Sequence, residues 1–253
     1  MSTYTYRLLL AYDGTNYAGW QVQPHAKTLA GTIEKAVNAI FDTPCALLGA
    51  SRTDSGVHAL GQVARLTIER ELDEVLLFRA LRNALPSDIL LRSAIRDEEF
   101  HPHRNVEKKI YYYHLFLARP LPFVARYGWY PDKYIKNFDS NVFETAMKCF
   151  VGTHDFSSFV RLAPGKDPVR AVDEISVSRM ARFNALQVRI VGSGFLHFQI
   201  RRMIGAACTV ASRDDSTLEY LSELLASPSD SSVALGKAEA RGLCLRSIVY
   251  KDV

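Results

Sequence analysis

The sequence predicts an α+β protein of two similar α/β halves, each with a largely antiparallel sheet and helices packed on it. Three observations lead there. Short apolar runs of period two alternate with segments of period 3.6. Their order is roughly β-α-β-β-α-β over residues 1–100, and a similar order follows without a recognisable sequence repeat. At 253 residues, 48% hydrophobic and 23% charged, the chain can bury a large core and has an ordinary globular composition.

The first half opens with a strand over Thr5–Tyr12 that ends in the turn Asp13-Gly14-Thr15. Leu29, Ile33, Val37, Ile40 and Phe41 then recur at helical spacing, with Thr28 as cap. Strands are expected at Cys45–Ala50 and Gln62–Ile68, around the polar stretch Ser51–His58. Val75–Leu85 reads as a helix stopped by Pro86, and Ile89–Ile95 as a strand.

In the second half, Tyr111–Leu117 reads as a strand and Val142–Phe150 as a helix that Gly152 can cap. Ile175–Arg182 and Ala185–Val191 alternate like paired strands, with Asn184 at their turn. Helices over Phe195–Val210 and Thr217–Ala226 and a strand over Leu245–Tyr250 complete the chain. The periodicity breaks between Glu98 and Lys109, where Pro102 lies. This divides the chain into residues 1–104 and 105–253, with the active-site cleft expected between the halves.

Composition excludes several classes. No run approaches the ~18 apolar residues of a membrane span, and the N-terminus lacks the features of a signal peptide, so a cytoplasmic protein is expected. Cys45, Cys149, Cys208 and Cys244 are scattered and read as small buried hydrophobes, not as metal or disulfide sites. GxxxxGK[ST], GxGxxG, HExxH and GxSxG are all absent, so the chemistry is expected to need no metal or bound cofactor. Gly192-Ser193-Gly194 is read as a strand-to-helix connection.

The net charge of +4 conceals a pattern. Residues 1–99 carry 10 Lys/Arg against 12 Asp/Glu, residues 100–213 carry 17 against 8, and residues 214–253 carry 4 against 7. A basic centre between acidic ends suits a phosphate-facing surface; solvated faces scattered over the fold would give the same count.

Residues 49–63 carry the functional reading: Gly-Ala-Ser-Arg-Thr-Asp-Ser-Gly-Val-His-Ala-Leu-Gly-Gln-Val. They place Arg52, Asp54 and His58 on one polar loop between apolar strands. On these residues alone, an N-capping aspartate with a local ion pair explains the loop equally well.

This segment resembles the RTD-x-GVHA-x-GQV signature of the TruA family of tRNA pseudouridine synthases. Tyr12-Asp13-Gly14-Thr15-x-Tyr17-x-Gly19-Trp20-Gln21-x-Gln23, Lys109-x-Tyr111-x-Tyr113 and Gly152-x-His154-Asp155-Phe156-x-Ser158-Phe159 are similar to further blocks of that family. So are Phe195-Leu196-His197-x-x-x-Arg201 to Gly205 and Ala238–Tyr250. The match spans nearly the whole chain in order.

The resemblance implies the pseudouridine synthase fold and isomerisation of uridine to pseudouridine at positions 38 to 40 of the tRNA anticodon stem-loop. It implies a homodimer in which each tRNA touches both subunits, and no cofactor, metal or membrane. It assigns Asp54 as the catalytic carboxylate, either attacking the sugar or taking a sugar proton. Arg201 matches the arginine that pairs with this aspartate and favours its ionised form. Tyr111 matches the aromatic that stacks on the target base. Arg52 would help displace the extruded nucleotide, and His58 would bind substrate.

On the residues themselves, Tyr111 could equally be a strand core residue and Arg201 a surface position of a helix. Asp13, Trp20 and His58 suit a turn, a core aromatic and a loop anchor at least as well. The sequence departs from the family's pattern at Ser51, Ser55, His103 and Arg202. Ser51 and Ser55 are small enough for the loop to close, His103 exchanges an arginine for a titrating ring, and Arg202 adds a base. A non-catalytic RNA-binding protein and a carboxylate glycoside hydrolase are the alternatives. Intact Asp54, Tyr111 and Arg201 weigh against the first, and the lack of a second acid in a catalytic context weighs against the other.

Overall fold

The computed structural model describes residues 2–160, 162, 165–212, 217–227 and 236–251. The chain forms two compact units: residues 1–107 with 244–253, and residues 108–243.

The first unit is built from β1 (Tyr4–Tyr12), α1 (Leu29–Phe41), β2 (Cys45–Gly49), β3 (His58–Ile68), α2 (Glu74–Ala84) and β4 (Ile89–Arg96). β1 lies between β3 and β4, antiparallel to both, and β2 pairs antiparallel with the far end of β3. Alternation along β1 puts Tyr6, Leu8, Leu10 and Tyr12 on one buried face. Helix α1 buries Leu29, Ile33, Val37 and Phe41, and the Thr28 hydroxyl caps it by accepting from Gly31 N–H. The Tyr6 hydroxyl both donates to Leu72 O (2.7 Å) and accepts from Leu72 N–H (2.8 Å), fixing the approach to α2.

The second unit takes up most of β5 (Val106–Phe116), followed by α3 (Asp132–Ile135), α4 (Ser140–Lys148), β6 (Gly152–Asp155), β7 (Val169–Val172), β8 (Glu174–Met180), β9 (Ala185–Gly192), α5 (Gln199–Val210) and α6 (Leu218–Ala226). β9 lies between β5 and β8, antiparallel to both, while β6 and β7 form a separate antiparallel pair. The order β5-β9-β8 repeats the order β1-β3-β2 of the first unit. Phe143, Phe150, Phe156 and Phe159 are fully or almost fully buried in this core, and the rings of Phe150, Phe156 and Phe159 contact one another. The last strand, β10 (Leu243–Tyr250), pairs parallel with β3 through Cys244↔His58 and Leu245↔Ala59. That pairing is why the C-terminal residues belong to the first compact unit.

The architecture is the expected α+β arrangement with largely antiparallel sheets. Several boundaries differ. β3 begins at His58, not Gln62, and β5 begins at Val106, ahead of the tyrosines. The helix expected from Phe195 starts only at Gln199, because Phe198 takes a left-handed conformation (φ 63°) that stops it extending backwards. Gly152 does not cap α4, which ends at Cys149 in right-handed geometry; with φ 117° it opens β6 instead. The turn between β8 and β9 does use Asn184, at φ 44°.

Candidate active site

In the first unit, the segment 50–58 is fastened to the loop that follows β1. Trp20 N–H donates to Thr53 O (3.0 Å), and the hydroxyls of Tyr12 and Thr53 are hydrogen-bonded (2.8 Å). The fully buried Gln62 side chain accepts from Ser51 N–H (3.2 Å) and donates to Ser51 O (2.6 Å). The Ser55 hydroxyl donates to Tyr17 O (3.1 Å). Residues on both sides of Asp54 are thus fixed by main-chain contacts, which places a side chain more precisely than a free loop can.

Two glycines make this approach possible. A Cβ on Gly14 would lie 2.0 Å from Val57 O. Gly19 has φ 97°, and a Cβ there would lie 2.9 Å from Thr53 O. The same loop caps α1 from outside, since Leu29 N–H and Ala30 N–H donate to Gly19 O and Trp20 O.

Within this loop Arg52 is exposed, Asp54 is half-buried and His58 is buried. Asp54 O accepts from Val57 N–H (3.1 Å), closing a tight turn around Ser55 and Gly56. His58 Nδ1 lies 3.2 Å from Gly14 N and 3.1 Å from Asp13 Oδ1. Asp13 also accepts from the N–H and hydroxyl of Thr15 (3.0 and 2.5 Å). The Asp13 turn and the start of β3 are therefore joined through the His58 ring.

In the second unit, β5 resolves which face each tyrosine of the triplet takes. Tyr111 and Tyr113 are buried on one face, and Tyr112 points to the other. Tyr113 is sealed in: its hydroxyl donates to Glu239 O (2.8 Å), its ring abuts Gly242, and burial pushes its phenol well above the usual range. Tyr111 instead meets the Phe195 ring edge-on, at 5.4 Å and 89°. Next to it, burial pulls the Lys109 ammonium below the usual lysine range.

Arg201 stands in the first turn of α5, with its Nε–H donating to Ala238 O (2.9 Å) and its guanidinium carbon 5.2 Å from the centre of the Phe198 ring. Burial lowers its neighbour Arg202 below the usual arginine range. The segment 195–198 thus touches two of the expected residues, Tyr111 through Phe195 and Arg201 through Phe198. Gln199 Oε1 accepts from Leu196 N–H (2.8 Å) and fixes that segment to the helix.

Arg52 and Asp54 therefore share one loop of the first unit, with His58 at the start of the strand that follows it, and Tyr111 and Arg201 are linked through one segment of the second. The residues that hold them are Tyr12, Thr53 and Gln62 in the first unit and Phe198 and Ala238 in the second. All but Phe198 lie within the family's motif blocks, which assign them no role, and the glycines near Asp54 signal the tight backbone contact, which needs a residue without a side chain. No group of three or more possible metal ligands occurs among the described residues.

Comparison with known proteins adds a family assignment. Residues 146–251 match the family model described as tRNA pseudouridine synthase. The chain is 35% identical to tRNA pseudouridine synthase A of Maridesulfovibrio salexigens over 97% of this chain and 90% of that protein. It is 32% identical to the protein of the same name from Thermodesulfovibrio yellowstonii, over 96% and 98% of the two chains. The Limosilactobacillus reuteri protein of that name is 34% identical, over 98% and 97%. With such identity sustained along almost the whole of each pair, the chain belongs to the TruA family of tRNA pseudouridine synthases, which are isomerases.

Proposed function

We propose that this enzyme converts uridine to pseudouridine in the anticodon stem-loop of tRNA, at positions 38 to 40, with Asp54 as the catalytic carboxylate. The fastening of the Asp54 loop carries this reading. Main-chain and hydroxyl hydrogen bonds hold Ser51, Thr53 and Ser55 while Asp54 itself is left half-buried between them. A carboxylate that must work close to a sugar carbon gains from such preorganisation.

The reaction cleaves the N1–C1′ bond, turns the uracil and forms a C5–C1′ bond. The hydrogen on C5 is lost and N1 gains one, so no external reagent is consumed. Asp54 serves either by adding to C1′ or by taking a sugar proton, and both need it ionised. Arg201 is proposed as its positive partner, oriented by the Nε–H bond to Ala238 O. Tyr111 is proposed to stack on the turning base, with Phe195 bracing its ring. Arg52, exposed beside Asp54, is proposed to take the place of the extruded nucleotide. For His58, with its ring nitrogen between Gly14 and Asp13, the proposed contribution to substrate binding is to hold the Asp54 loop in shape.

The enzyme is proposed to act as a cytoplasmic homodimer, with no metal or cofactor. Mapping of pseudouridine in a uridine-containing tRNA transcript after incubation tests the reading. New pseudouridine confined to positions 38 to 40 is expected; modification only outside the anticodon arm would overturn the proposed specificity.

A further inference from the structure

Tyr17 joins three segments of the first unit. Its N–H donates to Gly14 O (3.1 Å), in the turn that follows β1. Its carbonyl oxygen accepts from Gly56 N–H (3.4 Å) and from the Ser55 hydroxyl (3.1 Å), in the two residues that follow Asp54. Its side chain reaches the third segment, where the hydroxyl donates to Asp88 Oδ1 (2.6 Å) just before β4. Asp88 returns to the first turn through its own carbonyl oxygen, which accepts from Asp13 N–H (2.9 Å).

The hydroxyl is a strong anchor. Tyr17 is almost fully buried, and the Lys27 ammonium lies 4.5 Å from its ring centre. Burial first, and then the Asp88 carboxylate, raise its phenol above the usual range, so the hydroxyl keeps its proton and donates. A 2.6 Å bond from a hydroxyl to a carboxylate belongs to the short, charge-assisted class, about twice as strong as a neutral bond. Asp88 is itself fixed, because β4 begins at the next residue and pairs with β1 through Ile89↔Tyr12. Support therefore runs from the sheet through Asp88 and the Tyr17 ring to the carbonyl that holds Ser55 and Gly56. Without the hydroxyl, that carbonyl is held only by its neighbours in the loop, and the Asp54 turn inherits their freedom. A misplacement of about 1 Å in a reacting group can cost about a hundredfold in rate.

We infer that Tyr17 is a positioning residue for pseudouridine formation: its hydroxyl, seated on Asp88, holds the carbonyl from which the turn after Asp54 hangs. The inference rests on Asp54 being the catalytic carboxylate. It is tested in the full chain by the single-turnover rate on one tRNA transcript, by tRNA affinity and by amide hydrogen exchange. Tyr17→Phe and Asp88→Ala should each lower the rate about five- to thirtyfold, part of what a hydrogen bond to a charged group contributes, with tRNA affinity within about twofold of wild type. Asp88→Asn keeps an acceptor oxygen and should stay within about threefold of the wild-type rate. Tyr6→Phe removes the bonds to Leu72 and destabilises the same unit, yet should leave the rate unchanged, which separates positioning from stability. In Tyr17→Phe the Gly56 and Val57 amides should exchange about tenfold faster while those of β3 stay protected. A wild-type rate in Tyr17→Phe, or an equal fall in Tyr6→Phe, would overturn the positioning role. Unchanged exchange at Gly56 and Val57 would overturn the hold on the turn. Exchange is read without turnover, so a full rate in Asp54→Asn together with faster exchange in Tyr17→Phe would support the hold and count against Asp54 alone.

Discussion

Arg201 and Ala238 are joined by two hydrogen bonds of opposite sense: Ala238 N–H donates to Arg201 O, and Arg201 Nε–H donates to Ala238 O, each at 2.9 Å. The second bond uses the one guanidinium nitrogen that lies within the side-chain stem. It turns the planar fork at the end of the side chain into a fixed direction. Lysine carries the same charge but has no equivalent of Nε–H. Arg201→Lys should therefore lose orientation although charge is retained, at about 1.5–3 kcal/mol for a hydrogen bond to a charged group. The expected result is a fall in kcat of about ten- to a hundredfold. Wild-type kcat in Arg201→Lys would show that charge alone suffices.

The contact between the Asp13–Trp20 loop and the Asp54 loop leaves no space for a methyl group at Gly14, where a Cβ would lie 2.0 Å from Val57 O. Gly14→Ala should destabilise the protein by about 1–3 kcal/mol through forced backbone displacement and lower activity, since Asp54 moves with Val57. Urea denaturation together with pseudouridine yield checks this. A variant of normal stability and activity would mean that the two loops are not tightly coupled.

Glu34 sets a pH dependence of stability. Burial raises its carboxyl above the usual range, only partly offset by the hydrogen bond from Leu47 N–H (2.9 Å). The folded chain then binds this proton more tightly than the unfolded chain. Ionisation of Glu34 therefore costs stability above the carboxylate range, and the cost is absent below it. Glu34→Gln keeps an oxygen for Leu47 and has no charge to bury. It should raise the thermal midpoint at pH 7, and the gain should vanish below about pH 4. A gain that persists at low pH would point to a cause other than ionisation.

Cys208 and Cys244 are the buried thiols expected and should behave as inert core residues, whereas Cys45 and Cys149 are only partly buried, contrary to that expectation. Burial pushes the Cys45 thiol up to about 11 and Cys244 up to about 12, and holds Cys208 higher still. The thiolate is the reactive form, so a disulfide reagent at pH 8 should leave Cys208 and Cys244 untouched in the native protein and label them only after unfolding. Rapid labelling of Cys208 or Cys244 in the native protein would contradict this packing.

Much of the fold was legible because its elements carry their own periodicity. Tyr6, Leu8, Leu10 and Tyr12 alternate, Leu29, Ile33 and Val37 repeat every turn, and Thr28 and Asn184 take the cap and turn positions expected of them. What escaped depends on distant neighbours. Val106–Lys109 is too polar to show alternation, and Phe198 gives no hint of its left-handed backbone. β6 and β7, at four residues each, are too short for a pattern. Nothing local in Leu243–Tyr250 reveals that it pairs with β3. At the site, residue types near Asp54 suggested chemistry, but the hydrogen bonds from Trp20, Tyr12 and Gln62 that fix the loop arise from long-range packing. Likewise, the partnership of Arg201 with Ala238 leaves no trace in either segment read alone.

The role of Asp54 is tested most directly by comparing wild-type enzyme with Asp54→Asn on one tRNA transcript under single-turnover conditions, with tRNA affinity measured in parallel. Asparagine keeps the size of the side chain and its place in the fastened loop but can neither attack C1′ nor accept a proton as a carboxylate does. Pseudouridine formation should fall below detection while tRNA affinity stays within a few-fold of wild type. Pseudouridine formed by Asp54→Asn at the wild-type rate would contradict the assignment of Asp54 as the catalytic carboxylate.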